Sequence, residues 1–166
     1  MKIVNNIVIK WVMFCLLILT SFSVTATSKQ AINQVIDNFH QAASDADSER
    51  YFDLLSEDGV FLGTDGTERW SKKEFRSYVE PYFKQGKGWT YISTKRHINL
   101  SSDGTTAFFD ELLINNNYGH CRGSGVLWKT STGWKIAQYN LSVPLPNDIA
   151  KEIVAKINQF SEKVTK

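Results

Sequence analysis

The sequence predicts an α+β fold in which helices come first and then cover one face of a curved antiparallel sheet. Three observations carry this prediction. Apolar residues between Ala31 and Ala42 recur at the spacing of one helix face. Beyond Gly88 the period changes to apolar/polar alternation, the mark of half-buried strands. Turn signals then interrupt the alternation at Asp103-Gly104, around Asn115 to Asn117, and at Thr132-Gly133, which divides it into hairpins.

The elements follow in chain order. Ala31, Ile32, Val35, Ile36, Phe39 and Ala42 mark a long amphipathic helix, with Thr27 and Gln30 placed as a capping box. A short helix from Ser48 to Leu55 ends near Asp58-Gly59, and Val60-Phe61-Leu62 is expected as a brief strand. Ser71 and Glu74 form a second capping box, opening a helix that Pro81 should kink or end and Gly86 should close. Four long antiparallel strands come next. Pro144 and Pro146 stop the last of them, and Asn147 caps a terminal helix marked by Ile149, Ile153, Ile157 and Phe160.

The first 26 residues have the organisation of a secretory signal. Lys2 and Lys10 precede an apolar run from Trp11 to Leu19, and Val24-Thr25-Ala26 offers a cleavage site after Ala26. The run is about half of the roughly 20 apolar residues that span a bilayer. Cys15 follows Met13-Phe14 rather than small residues, which disfavours lipid attachment. The expected organisation is therefore a signal over 1–26, a single domain over 27–147 and a helical extension over 148–166, with a periplasmic or secreted mature chain and no membrane contact after cleavage.

The signal holds two of the 19 Lys and Arg residues and none of the 17 Asp and Glu. The remainder is formally neutral. No basic stripe is left to track a phosphate backbone, so nucleic acid is not an expected partner. Cys121 is the single cysteine beyond the signal, so stability must come from packing without an internal disulfide. Trp70, Trp89, Trp128 and Trp134 supply bulk for that core.

Several segments carry a family resemblance: Phe61-Leu62-Gly63-Thr64-Asp65, Glu68-Arg69-Trp70, Phe109-Asp110-Glu111, Cys121 to Leu127, and Trp134 to Ser142. Together they resemble SnoaL-like domains of the nuclear-transport-factor-2-like superfamily, over about residues 30 to 147. The resemblance implies a cone-shaped sheet with an internal pocket. It places the chain beside polyketide cyclases, steroid isomerases, dehydratases and noncatalytic assembly domains. Many relatives carry a histidine in the strand corresponding to Trp134–Ser142; this chain has none there.

Turn geometry predicts which charges meet. A two-residue turn at Asp103-Gly104 sets Leu100 beside Ala107, Ile98 beside Phe109, Arg96 beside Glu111 and His97 beside Asp110. A four-residue loop from Asn115 to Tyr118 would set Arg122 on the other side of Glu111. A turn at Ser131 to Gly133 pairs Trp128 with Ile136, Val126 with Gln138 and Ser124 with Asn140. One face then gathers Ile92, Ile98, Leu100, Phe109, Leu113, Val126, Trp128, Trp134 and Ile136 around Arg96, Glu111, Arg122, Gln138 and Asn140. That face is expected to be the helix-covered interior. Phe108, Leu112, Leu127, Tyr139 and Leu141 fall on the other, expected as a homodimer face.

Convergent polar groups within an apolar wall suit a small-ligand site. Glu111 is the candidate catalytic residue, and Arg96, Arg122, Asn140, Gln138 and Trp70 are candidate ligand contacts. Two flanking arginines favour ionised Glu111, so the trio suits an anionic or carbonyl group held by the arginines. A closed Arg-Glu-Arg network serving the fold alone is the competing reading. His97 with Asp110 reads as an exposed or interfacial ion pair, His40 as a helix-surface residue bordering the pocket mouth, and Cys121 as a buried inert thiol on the outer face. Three scattered histidines lack metal-ligand spacing, and no cofactor is expected. Gly119, Gly123 and Gly125 read as positions where a strand bends or another group approaches closely. Two functions follow: an exported domain binding a small, largely apolar molecule, with a cofactor-free lyase or isomerase step as its catalytic extension, or a noncatalytic dimerisation module.

Overall fold

The computed structural model describes residues 27–164; the expected signal segment lies outside them. Helix α1 covers 27–44, and α2 covers Ser48–Asp53. Strands β1 (Leu55–Leu62) and β2 (Arg69–Ser71) precede α3 (Lys72–Phe83). Four long strands follow: β3 (Ile92–Leu100), β4 (Thr106–Asn115), β5 (Gly119–Thr130) and β6 (Gly133–Ser142). A 3-10 turn at Asn147–Ile149 leads into α4 (Ala150–Val164). The six strands form one sheet in the order β2-β1-β6-β5-β4-β3. All neighbours pair antiparallel except β1 and β6, which run parallel.

Local chemistry explains the helices. Ile32, Ile36, Phe39, Ala42 and Ala43 give α1 a buried stripe against the sheet. At α3 the Ser71 side chain accepts from the Glu74 amide while the Glu74 carboxylate accepts from the Ser71 amide, the expected reciprocal cap. Pro81 lies in the last turn of α3, two residues before its end. The amide it lacks removes a single bond there. Beyond it, Gly86 N–H donates to Phe83 and Lys87 N–H to Tyr82, closing the helix in a Schellman arrangement.

The first hairpin has the expected register: Arg96 pairs with Glu111, His97 with Asp110, Ile98 with Phe109 and Leu100 with Ala107. The second differs by one residue. Asn115 belongs to β4 and pairs with Gly119, so the loop holds three residues, and Glu111 faces Gly123 while Arg122 faces Leu112. The Asn115 side chain accepts from the amides of Asn117 and Tyr118, and Gly119 takes φ +69°. This is the three-residue hairpin in which a left-handed glycine completes the turn.

Because side chains alternate strictly, a one-residue slip turns a whole strand over. Arg122, Val126 and Trp128 therefore point outward instead of inward, and Cys121 and Leu127 are in the core. The expected pairs Ser124–Asn140 and Val126–Gln138 do form. They carry the inversion into β6, so Asn140 and Gln138 lie on the outer face and Tyr139 and Leu141 are buried. A register shift between Val126 and Leu127 then pairs Leu127 with Ile136 and Trp128 with Lys135, which returns Trp134 and Ile136 to the interior as expected. A second irregularity, between Ser93 and Lys95 of β3, turns Ile92 outward, where it is 60% exposed.

The core lies between α1, α2, α3 and the inner sheet face, built from Tyr51, Phe52, Phe61, Phe75, Phe109, Leu113, Leu127 and Ile136. The outer face is uncovered within the described residues and exposes Phe108, Leu112, Ile114 and Trp128. Helix α4 also exposes Val154, Ile157 and Phe160. No helix among the described residues is long and apolar enough to cross a membrane.

Candidate functional site

Glu111 is wholly buried at the centre of β4. A buried carboxylate is tolerated when its lone pairs are filled. Three hydrogen bonds and one further ion-pair contact do this. His40 Nε2 lies 2.7 Å from Oε1 and the Tyr139 hydroxyl donates to the same oxygen at 3.2 Å. Arg96 Nε and Nη2 approach Oε2 at 2.9 and 2.8 Å. An ionised carboxylate only accepts, so the His40 Nε2 carries its proton in this bond.

Arg96 reaches Glu111 from the adjacent strand, as the hairpin register predicts, and is also held from above. Its Nη1 donates to Asn33 Oδ1 at 3.0 Å and to Asp37 Oδ1 at 2.8 Å. Asn33, Asp37 and His40 stand at i, i+4 and i+7 of α1, one polar stripe beside the apolar one. The cluster thereby locks α1 to β3, β4 and β6. Gly123 makes it possible: a Cβ there would lie 2.8 Å from Glu111 Oε1 and closer still to the Tyr139 hydroxyl.

The electrostatics agree with the geometry. Burial alone would raise the Glu111 pKa, but the His40 hydrogen bond and charge together with Arg96 outweigh it and hold the carboxyl below its ordinary value. Burial first, then the Glu111 charge, push the Tyr139 phenol well up, so it remains the donor. Bonded on both oxygens, Glu111 fixes Arg96 and His40 in place. His40 also borders a groove of about 290 Å³ between α1 and the start of β3, where Ser44 and Thr90 share a hydrogen bond of 2.9 Å.

A different region offers open space. A cavity of about 160 Å³ is lined by Phe61 of β1, Trp70 of β2, Phe75 and Tyr78 of α3, Trp89 and Tyr91 before β3, and Tyr118 of the β4–β5 turn. Seven of its eleven lining residues are aromatic, and Glu68 is its single charged one. Trp70 stacks on Tyr78 and Phe75 at centroid separations of 5.1 and 5.4 Å. Tyr78 and Tyr118, about half exposed, stand at the mouth. Burial, with Cys121 and Tyr118 nearby, pushes the Tyr91 phenol up to about 12.

The residues singled out from sequence therefore separate. Glu111 and Arg96 meet in the closed cluster, Trp70 lines the cavity, and Arg122, Gln138 and Asn140 stand on the opposite sheet face. His97 Nδ1 and Asp110 Oδ2 form an exposed pair at 3.1 Å. Cys121 is buried on the inner face, where burial raises its thiol pKa. His40 and Tyr139, the remaining partners of Glu111, and Glu68, Tyr78, Trp89, Tyr91 and Tyr118 of the cavity were not among the sequence candidates for a site at Glu111. The polar stripe Asn33-Asp37-His40 was the available signal for the first of these. No group of three metal-ligating side chains exists among the described residues.

Comparison with known proteins places this architecture. The chain is similar to a nuclear-transport-factor-2-like protein of unknown function from Pseudomonas putida, with 15% identity and a TM-score of 0.62 over 74% of this chain and 90% of that one. A candidate scytalone dehydratase from Novosphingobium aromaticivorans gives 12% identity and a TM-score of 0.64 over 74% and 88%. A candidate calcium/calmodulin-dependent protein kinase II association domain from Xanthomonas campestris gives 21% and 0.52 over 70% and 86%. At such identities the likeness shows the fold. No protein with a curated description matches the chain. The SnoaL-like domain family matches residues 32–146, from the first buried residue of α1 to the proline that precedes the terminal helix, and the chain belongs to that family.

Proposed function

We propose that this chain binds a small, largely apolar molecule in the aromatic cavity at the open end of its sheet. The observation that carries the reading is the cavity's composition. Aromatic walls supply contact area at little conformational cost, and a few polar groups fix orientation. Glu68, Thr64 and the phenols of Tyr78, Tyr91 and Tyr118 are the polar groups here. Glu111 and Arg96 act behind the wall, holding the inner sheet to α1. Similarity to a candidate scytalone dehydratase is consistent with a lyase-type step on the bound molecule. The signal-like segment 1–26 supports a periplasmic or secreted location.

Native mass spectrometry of the protein purified from its own host tests the reading. A co-purifying small molecule is expected with the native chain and is expected to be lost in Trp70→Ala. Retention of the same molecule by folded Trp70→Ala would remove the cavity from the function.

The uncovered outer face supports an additional role in assembly. Phe108 and Trp128 are 55% and 45% exposed, with Leu112 and Ile114 further along β4, and exposed large apolar side chains gathered on one face are of the kind that marks an interface. A homodimer through this face is the corresponding expectation, and sedimentation should shift from dimer to monomer in Phe108→Lys/Trp128→Lys. This module would operate with or without a ligand in the cavity.

A further inference from the structure

Resting on the reading of the aromatic cavity as a binding site, we propose that its ligand is a small organic cation carrying an alkylammonium-type head group. The cavity's electrostatics are one-sided. Glu68 is the sole charged lining residue, and no Lys, Arg or His reaches the wall. Among the described residues Glu68 joins no ion pair; its Oε2 accepts from the Asp65 amide at 3.2 Å. Gly63 leaves room for this side chain, since a Cβ at 63 would lie 2.9 Å from the Glu68 carboxyl carbon. The carboxylate is therefore seated in the wall of the cavity, with its charge uncompensated. Its field is felt across the opening, where burial, Tyr82 and Glu68 together raise the Tyr78 phenol above its ordinary value.

The rings complete the case. Aromatic faces carry negative potential and attract cations, most strongly for Trp and Tyr. The wall presents two of the first and three of the second. Neutral phenols keep this property, and burial holds Tyr91 neutral. A bare inorganic cation does not suit the site, because it needs several oxygen ligands at once and the wall offers one carboxylate. An alkylated ammonium has an apolar shell for the rings and a charge for Glu68. An anionic or carbonyl ligand, the class suggested by arginines at the sheet centre, would find no positive group in this cavity.

Choline and its uncharged isostere 3,3-dimethylbutan-1-ol separate charge from shape, with intrinsic tryptophan fluorescence of the native chain as the readout. Saturable binding of choline is expected, at least about tenfold tighter than the alcohol, a difference of about 1.4 kcal/mol. Glu68→Gln and Tyr118→Leu should each weaken choline severalfold and leave the alcohol unchanged, with thermal unfolding checking that both variants fold. If the alcohol binds as well as choline and Glu68→Gln alters neither, the cation proposal is overturned while the cavity remains a binding site. If choline, the alcohol and benzyl alcohol all fail to saturate, the cavity reading and the proposal fall together.

Discussion

Two regions of the same interior treat charge in opposite ways. At the sheet centre, Glu111 accepts three hydrogen bonds on its two oxygens, and Arg96 is shared with Asn33 and Asp37. Toward the sheet end formed by β1 and β2, Glu68 stands in an aromatic wall with one backbone donor and no counter-charge among the described residues. The first region meets its charge with partners of its own. The second is left open, as the proposed ligand site requires. Buried polarity by itself therefore says little about where a ligand goes; unfilled valence says more.

The comparison breaks most visibly at Arg96. Arg96→Met leaves the Glu111 charge buried without its arginine counter-charge, and removing one half of a buried pair costs about 3–5 kcal/mol. Denaturant unfolding should show that loss, and the double replacement Arg96→Met/Glu111→Leu should recover part of it. A loss below about 1 kcal/mol in the single variant would mean that the cluster is solvated and not a lock.

Acid should sharpen the contrast next. The Glu111 pKa is depressed on folding, so the unfolded chain takes up the proton more readily. Its contribution is present above the unfolded value near 4.5 and is lost as pH falls through the lower folded value. Stability measured from pH 6 downward should fall more steeply in the native chain than in Glu111→Gln. Parallel curves would show that other carboxylates govern the acid limb.

A smaller effect on stability is expected in the cavity. Trp70→Leu at a half-buried site should cost about 1–2 kcal/mol while weakening binding of the choline probe at least about tenfold, so binding falls further than folding. The smallest effect belongs to His97→Gln. Its pair with Asp110 is exposed on both sides, and such pairs are worth about 0.2–1 kcal/mol. A larger loss in a concentration-dependent assay would instead place the pair inside a dimer interface.

Much of this was legible in the sequence, and the largest failure has one origin, the second hairpin. Asp103-Gly104 fixed the first hairpin, so Arg96 beside Glu111 followed from counting. The Asn115 to Tyr118 segment did not fix the second, because Asn115 is both the last residue of β4 and the acceptor that shapes the loop. Counting it as loop displaced Arg122 by one place and turned over β5 and the second half of β6. The polar centre was thus found with one correct arginine and one wrong one. His40 and Tyr139 took the places assigned to Arg122 and its neighbours. His40 was out of reach of such counting, since strand register says nothing about how a helix docks. The cavity was legible only at Trp70, because its walls come from six segments that no local period connects.

Gly123 has a consequence for how this domain can vary. The missing side chain is the seat of the Glu111–Tyr139 bond, so the three positions form one unit of change. Alanine at 123 crowds both partners. Phenylalanine at 139 removes the phenolic oxygen nearest the added methyl group and should ease that crowding, at the expense of a donor to Glu111. The effects of the two replacements should not add. Drift at this site is therefore epistatic: which residue is tolerated at one position depends on what already stands at the other two.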